Sequence, residues 1–143
     1  MYKTILFAAD FDEVGQLAAQ KAKQLADTHN ADLYLIHAVE PLPAYAYPGF
    51  SGFSDVDQAL KENADKELNA LGAKLSVPSD RLFLEIGATK NEVIRIAEEL
   101  DADLIVAGSH GKHGIALLLG SSATAILHAA HCDVLIVRAK DNK

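Results

Sequence analysis

Residues able to do chemistry concentrate between positions 108 and 122. A glycine-rich run, Gly108-Ser109-His110-Gly111-Lys112-His113-Gly114, leads through Ile115 to Leu119 into Gly120-Ser121-Ser122. Glycines let backbone come close to a ligand and permit positive φ. A helix opened by Gly120, Ser121 and Ser122 presents unpaired amides, and its dipole favours an anion there. The two serines add hydroxyl donors. Lys112, with His110 and His113, would neutralise phosphate charge. The same residues have a plainer use: glycines after a strand make a turn, and serines before a helix cap it. The run is not the dinucleotide fingerprint G-x-G-x-x-G. Nor is it a Walker A motif, because no Gly-Lys-Ser/Thr follows four spacers.

Other reactive side chains give weaker patterns. Asp10 follows an apolar run and serves either a ligand or a turn. Asp12, two residues on, suits a helix cap. His110 and His113, or His128, His131 and Cys132, lack the two-cluster spacing of a zinc site, so no metal is expected. His37 sits inside an apolar strand and reads as a satisfied core histidine. Cys132 reads as a small buried thiol. No Gly-x-Ser-x-Gly elbow surrounds Ser109, Ser121 or Ser122, so serine hydrolysis is not expected.

The elements that must position these groups follow from the hydrophobic pattern. Five short apolar runs stand out: Thr4–Ala9, Asp32–Ala38, Arg81–Ile86, Asp103–Ala107 and Asp133–Val137. Most are continuous, as in parallel strands covered on both faces. Between them, apolar residues recur at helical steps. The four sets are Val14, Ala18, Ala22, Leu25; Val56, Leu60, Ala64, Leu68, Leu71, Leu75; Val93, Ile96, Ala97, Leu100; and Ala123, Ile126, Leu127, Ala130. Thr89 and Glu92 suggest a capping box for the third helix. The order β-α-β-α-β-α-β-α-β implies a three-layer α/β sandwich, Rossmann-like, with a five-stranded parallel sheet. Right-handed crossovers favour the spatial order 3-2-1-4-5. In such sheets ligands bind beyond the strand carboxyl ends, where the order reverses. That places a site between Asp10 and Gly108.

Composition narrows the class. The 143 residues fit one domain, residues 1–143, and half of them are hydrophobic. No stretch is long and apolar enough to span a membrane, and no secretory leader is visible. A single cysteine and a formal net charge of −7 suit a cytoplasmic protein that does not bind nucleic acid broadly. Pro41–Phe53, rich in proline and aromatics, is either a flap over the site or a packed loop. Val134-Leu135-Ile136-Val137 makes an apolar edge strand, which calls for cover, by a second subunit or by the chain's own tail.

Gly108-Ser109-His110-Gly111, Gly120-Ser121-Ser122, the closing Cys132–Arg138 and the opening Ile5–Asp10 together resemble the universal stress protein family over essentially the whole chain. The resemblance implies the fold above, a homodimer through Asp133–Val137, and a part in stress survival. Some members bind ATP through Gly-x2-Gly-x9-Gly-Ser/Thr; others do not. Here eight residues, Lys112 to Leu119, separate Gly111 from Gly120. By resemblance, Asp10 would lie beside the adenine or ribose and Val39 would meet the adenine through its backbone. Gly108, Gly111, Gly120, Ser121 and Ser122 would face the phosphates, with magnesium accompanying them. The leading expectation is a regulatory ATP-binding protein. The alternatives are a protein-interaction module that binds no nucleotide, and a slow ATPase.

Overall fold

A computed structural model describes residues 1–41, 55–109 and 120–138. Five strands, β1 (Thr4–Ala8), β2 (Asp32–Val39), β3 (Leu82–Ile86), β4 (Leu104–Gly108) and β5 (Asp133–Val137), alternate with four helices. These are α1 (Glu13–His29), α2 (Asp55–Lys74), α3 (Thr89–Leu100) and α4 (Ser121–Ala129). Every strand pair is parallel and the order is β3-β2-β1-β4-β5, as the sequence predicts. No helix among the described residues is long and apolar enough to cross a membrane.

Period-2 alternation divides each strand between two cores. Ile5, Phe7, Leu33, Leu35, Leu104 and Val106 pack under α1 and α2. Leu6, Ile36 and Ile105 pack with Val93, Ile96, Ala97 and Ile126 of α3 and α4. Burying both faces explains why the strands read as unbroken apolar runs. Among the residues whose side chains are described, the helical stripes hold with two exceptions: Leu60 is 42% and Leu127 45% exposed. The face α1 turns inward is made of Gly15, Ala18, Ala19, Ala22 and Ala26, all buried. Such small residues let the helix lie close to the sheet.

Helix ends are fixed without glycine. Asn30, Ser76 and Asp101 each take the left-handed conformation, with φ of 53°, 58° and 53°. Asn and Asp tolerate this region through local hydrogen bonding. The next amide then reaches back to an orphan carbonyl: Ala31 to Ala26, Val77 to Gly72 and Ala102 to Ala97, at 2.8–2.9 Å.

The predicted Thr89–Glu92 capping box does not form. Ala88 is the N-cap of α3 and Thr89 the first helical residue. The side chain of Glu40, arriving from β2, takes the capping role instead. Its Oε1 accepts from the Thr89 N–H (3.0 Å) and Oγ1 (3.1 Å). A residue distant in sequence thus displaces a local motif.

At the opposite end of the sheet, Asp103 ties β4 to the start of β1. Its Oδ2 accepts from the amides of Lys3 (2.7 Å) and Thr4 (2.8 Å). These two bonds, chiefly, hold its carboxyl below the usual carboxylate range. A depressed folded-state value means the stabilisation is present above the unfolded pKa of about 3.9 and is lost as pH falls through the folded value. Asp103→Asn is therefore expected to lower the melting temperature at neutral pH. It should also flatten the loss of stability on acidification below about pH 4, measured by thermal melts across a pH series.

Candidate functional site

β1 delivers its chain to α1 on one face of the sheet, whereas α4 lies on the other. The carboxyl ends of β1 and β4 therefore part, and a cavity of about 340 Å³ opens beside them on the α3/α4 side. Its floor is Ala8, Ile36, Ala38 and Ala107, and Val93 and Ile126 add apolar wall. The polar rim is Asp10, His37, Glu40, Thr89, Gly108 and Ser122.

Asp10 is positioned by a close approach of backbone to backbone. A Cβ on Gly15 would lie 1.9 Å from the Asp10 carbonyl oxygen. Only glycine lets the first turn of α1 press against the chain as it leaves β1. Asp12 caps the same helix, accepting from the Gly15 N–H at 2.7 Å. The Asp10 carboxylate accepts from the Phe11 N–H at 3.2 Å. Next to it, Nδ1 of His37 sits 2.8 Å from the Ala9 carbonyl. Because the partner is an acceptor, Nδ1 carries the proton. The ring packs on Phe11 with centroids 4.6 Å apart. His37 is satisfied, as expected, but it stands in the cavity wall rather than deep in the core.

Gly108 ends β4 as an ordinary strand residue. The freedom of a glycine to take positive φ is not used here; among the described glycines only Gly87 uses it. Its smallness serves packing, since a Cβ there would come within 3.2 Å of the Val14 side chain.

Backbone bonds anchor both feet of the segment between Ser109 and Gly120. The Ser109 N–H donates to the Val137 carbonyl (2.8 Å), and the Gly120 N–H donates to the Ser109 carbonyl (2.9 Å). The Gly120 amide is thus engaged, not offered to the cavity. Gly120 caps α4 without a side-chain bond. The amides of Ser121, Ser122 and Ala123 form the first turn and have no acceptor within the helix.

The sequence-derived site residues fall as follows. Asp10, Gly108 and Ser122 line the cavity. Gly120 and Ser121 stand behind Ser122 at the helix start. Val39 ends β2 without lining the cavity, and its carbonyl accepts from the Gly87 N–H at 3.0 Å; Ala38, its neighbour, does line it. Gly111 lies outside the described residues, as do Lys112, His110, His113 and most of the Pro41–Phe53 stretch. Sequence reasoning missed Glu40 and Gly15, and gave Thr89 only a capping role. An acidic residue directly after the second strand, and a lone glycine in an alanine-rich helix, were the available signals.

Electrostatically the cavity has two unlike ends. Asp10 and Glu40 bring carboxylates from β1 and β2, whereas α4 brings amide donors and a positive dipole. No Lys or Arg lines it among the described residues. Cys132 lies away from the cavity, and burial, followed by Asp133 and Asp103, raises its thiol pKa. That environment suits a structural cysteine, not a nucleophile.

The site's geometry depends on Gly15. Gly15→Ala must displace the Asp10 backbone, so it should cost about 2–4 kcal/mol of stability, measured by denaturant unfolding.

A family model described as the universal stress protein family matches residues 1–138. Universal stress protein A homolog 2 of Coxiella burnetii is 44% identical over 141 residues, covering 97% of each chain. The solved structure of MJ0577 from Methanocaldococcus jannaschii superposes with a TM-score of 0.82 at 26% identity, covering 99% of both chains. A universal stress protein solved in complex with cAMP superposes with a TM-score of 0.60 at 25% identity, covering 97% of this chain and 99% of that one.

Proposed function

The chain belongs to the universal stress protein family, and from that premise we propose that its cavity binds an adenine nucleotide, ATP foremost, as a regulatory ligand. The observation that carries the reading is the first turn of α4, which starts at Gly120 and opens on a cavity whose far rim is acidic. Donors at one end suit phosphate oxygens; carboxylates at the other suit sugar hydroxyls. The volume lies near the lower end of the range for small-molecule sites. The cAMP complex of a structural neighbour supports the nucleotide class.

In this reading the amides of Ser121–Ala123 and the Ser122 hydroxyl hold phosphate, with Gly108, Gly111 and Gly120 shaping the approach. Asp10 accepts from the ribose. The base lies over Ala8, Ile36 and Ala38, with its edge toward the Ala38–Val39 backbone. Magnesium would arrive on the phosphates of the nucleotide. The role is binding rather than turnover. Two measurements separate the rivals: phosphate release above a no-protein control favours a slow ATPase, and no binding on titration favours an interaction module.

Calorimetric titration of nucleotide-free protein with magnesium and ATP is expected to show micromolar binding. Asp10→Ala should weaken it about 10- to 100-fold, the worth of a charge-assisted hydrogen bond. Absence of binding by ATP, ADP, AMP and cAMP alike would reject the reading.

A homodimer through β5 belongs to the same proposal. β5 is an edge strand, and Leu135 is 36% exposed on it. Pairing it with its counterpart in a second copy would cover an apolar edge. Sedimentation velocity should show a dimer for the natural chain and a monomer for Leu135→Arg.

A further inference from the structure

Glu40 stands where the cavity meets α3, and its charge is held in place. Both bonds from Thr89, at 3.0 and 3.1 Å, fall on Oε1, which leaves the second oxygen to meet a ligand. The clasp neutralises the α3 N-terminus, which would otherwise attract an anion to this side. Asp10 adds a second carboxylate to the same rim, and no Lys or Arg among the described lining residues offsets the two. Donors for an anion lie at the other end, on α4. The described lining therefore sets two carboxylates at one end and the amide donors of α4 at the other.

We propose that Glu40, clasped by Thr89, is a specificity-determining residue that rejects ligands carrying a second phosphate on the ribose. The inference rests on the nucleotide reading, with the 5′-phosphate at α4 and the sugar toward β1 and β2. General chemistry supports it. In dinucleotide-binding sheets a carboxylate following the second strand accepts from a ribose hydroxyl, and it disfavours a phosphate at that position. Glu40 directly follows β2. Because Glu40 is exposed, its repulsion acts through solvent and is screened by salt.

The test uses 5′-AMP and adenosine 3′,5′-bisphosphate as probes, titrated into the full chain and into Glu40→Gln. Glutamine keeps an oxygen for Thr89 and removes the charge, and a matching thermal melt verifies that the variant is folded. The natural chain should prefer 5′-AMP. In Glu40→Gln the ratio of the two dissociation constants should shrink by about three- to tenfold at low ionic strength, the scale of a screened unit charge a few ångströms away. The contraction should fade at high salt. An unchanged ratio, or equal weakening of both ligands, would reduce Glu40 to a helix cap and overturn the inference while leaving nucleotide binding intact. No binding of either probe by the natural chain would instead reject the nucleotide reading, and this inference with it.

Discussion

A missing side chain governs how closely the first helix meets the sheet. At Gly15 a single added carbon would collide with the Asp10 carbonyl at 1.9 Å. The alanines at 18, 19, 22 and 26 extend the same close contact along α1. At the neighbouring strand, Gly108 yields space to Val14. α1 therefore sits low over β1 and β4, and the chain leaving β1 is pinned between helix and sheet. Asp10 owes its place on the cavity rim to that pressure. A bulkier interface would lift the helix and carry the carboxylate away from the opening.

The helix starts around the strand carboxyl ends are provided for unequally. Each helix leaves its first amides without internal partners. Asp12 answers that need for α1 and Glu40 for α3. α4 has Gly120 at the cap, a residue with no side chain of its own to bond there. Both of these caps are carboxylates, whereas Gly120 brings no charge. The cavity thus owes one of its two rim carboxylates, Glu40, to a capping requirement.

Much of this was legible in the sequence because burial on both faces writes itself as continuous apolar runs. The five strands and their order followed from runs such as Leu104–Ala107 and from crossover rules. The position of the cavity followed from the reversal between β1 and β4. What was not legible depends on long-range partners. The capping box at Thr89 and Glu92 had the right spacing, but Glu40, 49 residues away, takes the Thr89 N–H that Glu92 would have accepted and the hydroxyl as well. Gly108 looked like a residue chosen for backbone freedom and turned out to make room for Val14. Leu127 fits an apolar stripe, yet nothing in the spacing tells that it faces outward. The helix ends at Asn30 and Asp101 carried no glycine to announce them.

The backbone bond from Gly120 to Ser109 has a consequence for how the start of α4 is held. It joins two points of the main chain without relying on any side chain, and Val137 holds one of them from β5. Whatever the chain does between those points, α4 starts from the same place. Loop-closure entropy changes by only about 0.1 kcal/mol when one residue is removed from a segment of this length. The start of α4 is thus mounted on main-chain bonds at both ends of the segment, and those bonds ask nothing of the side chains on either side.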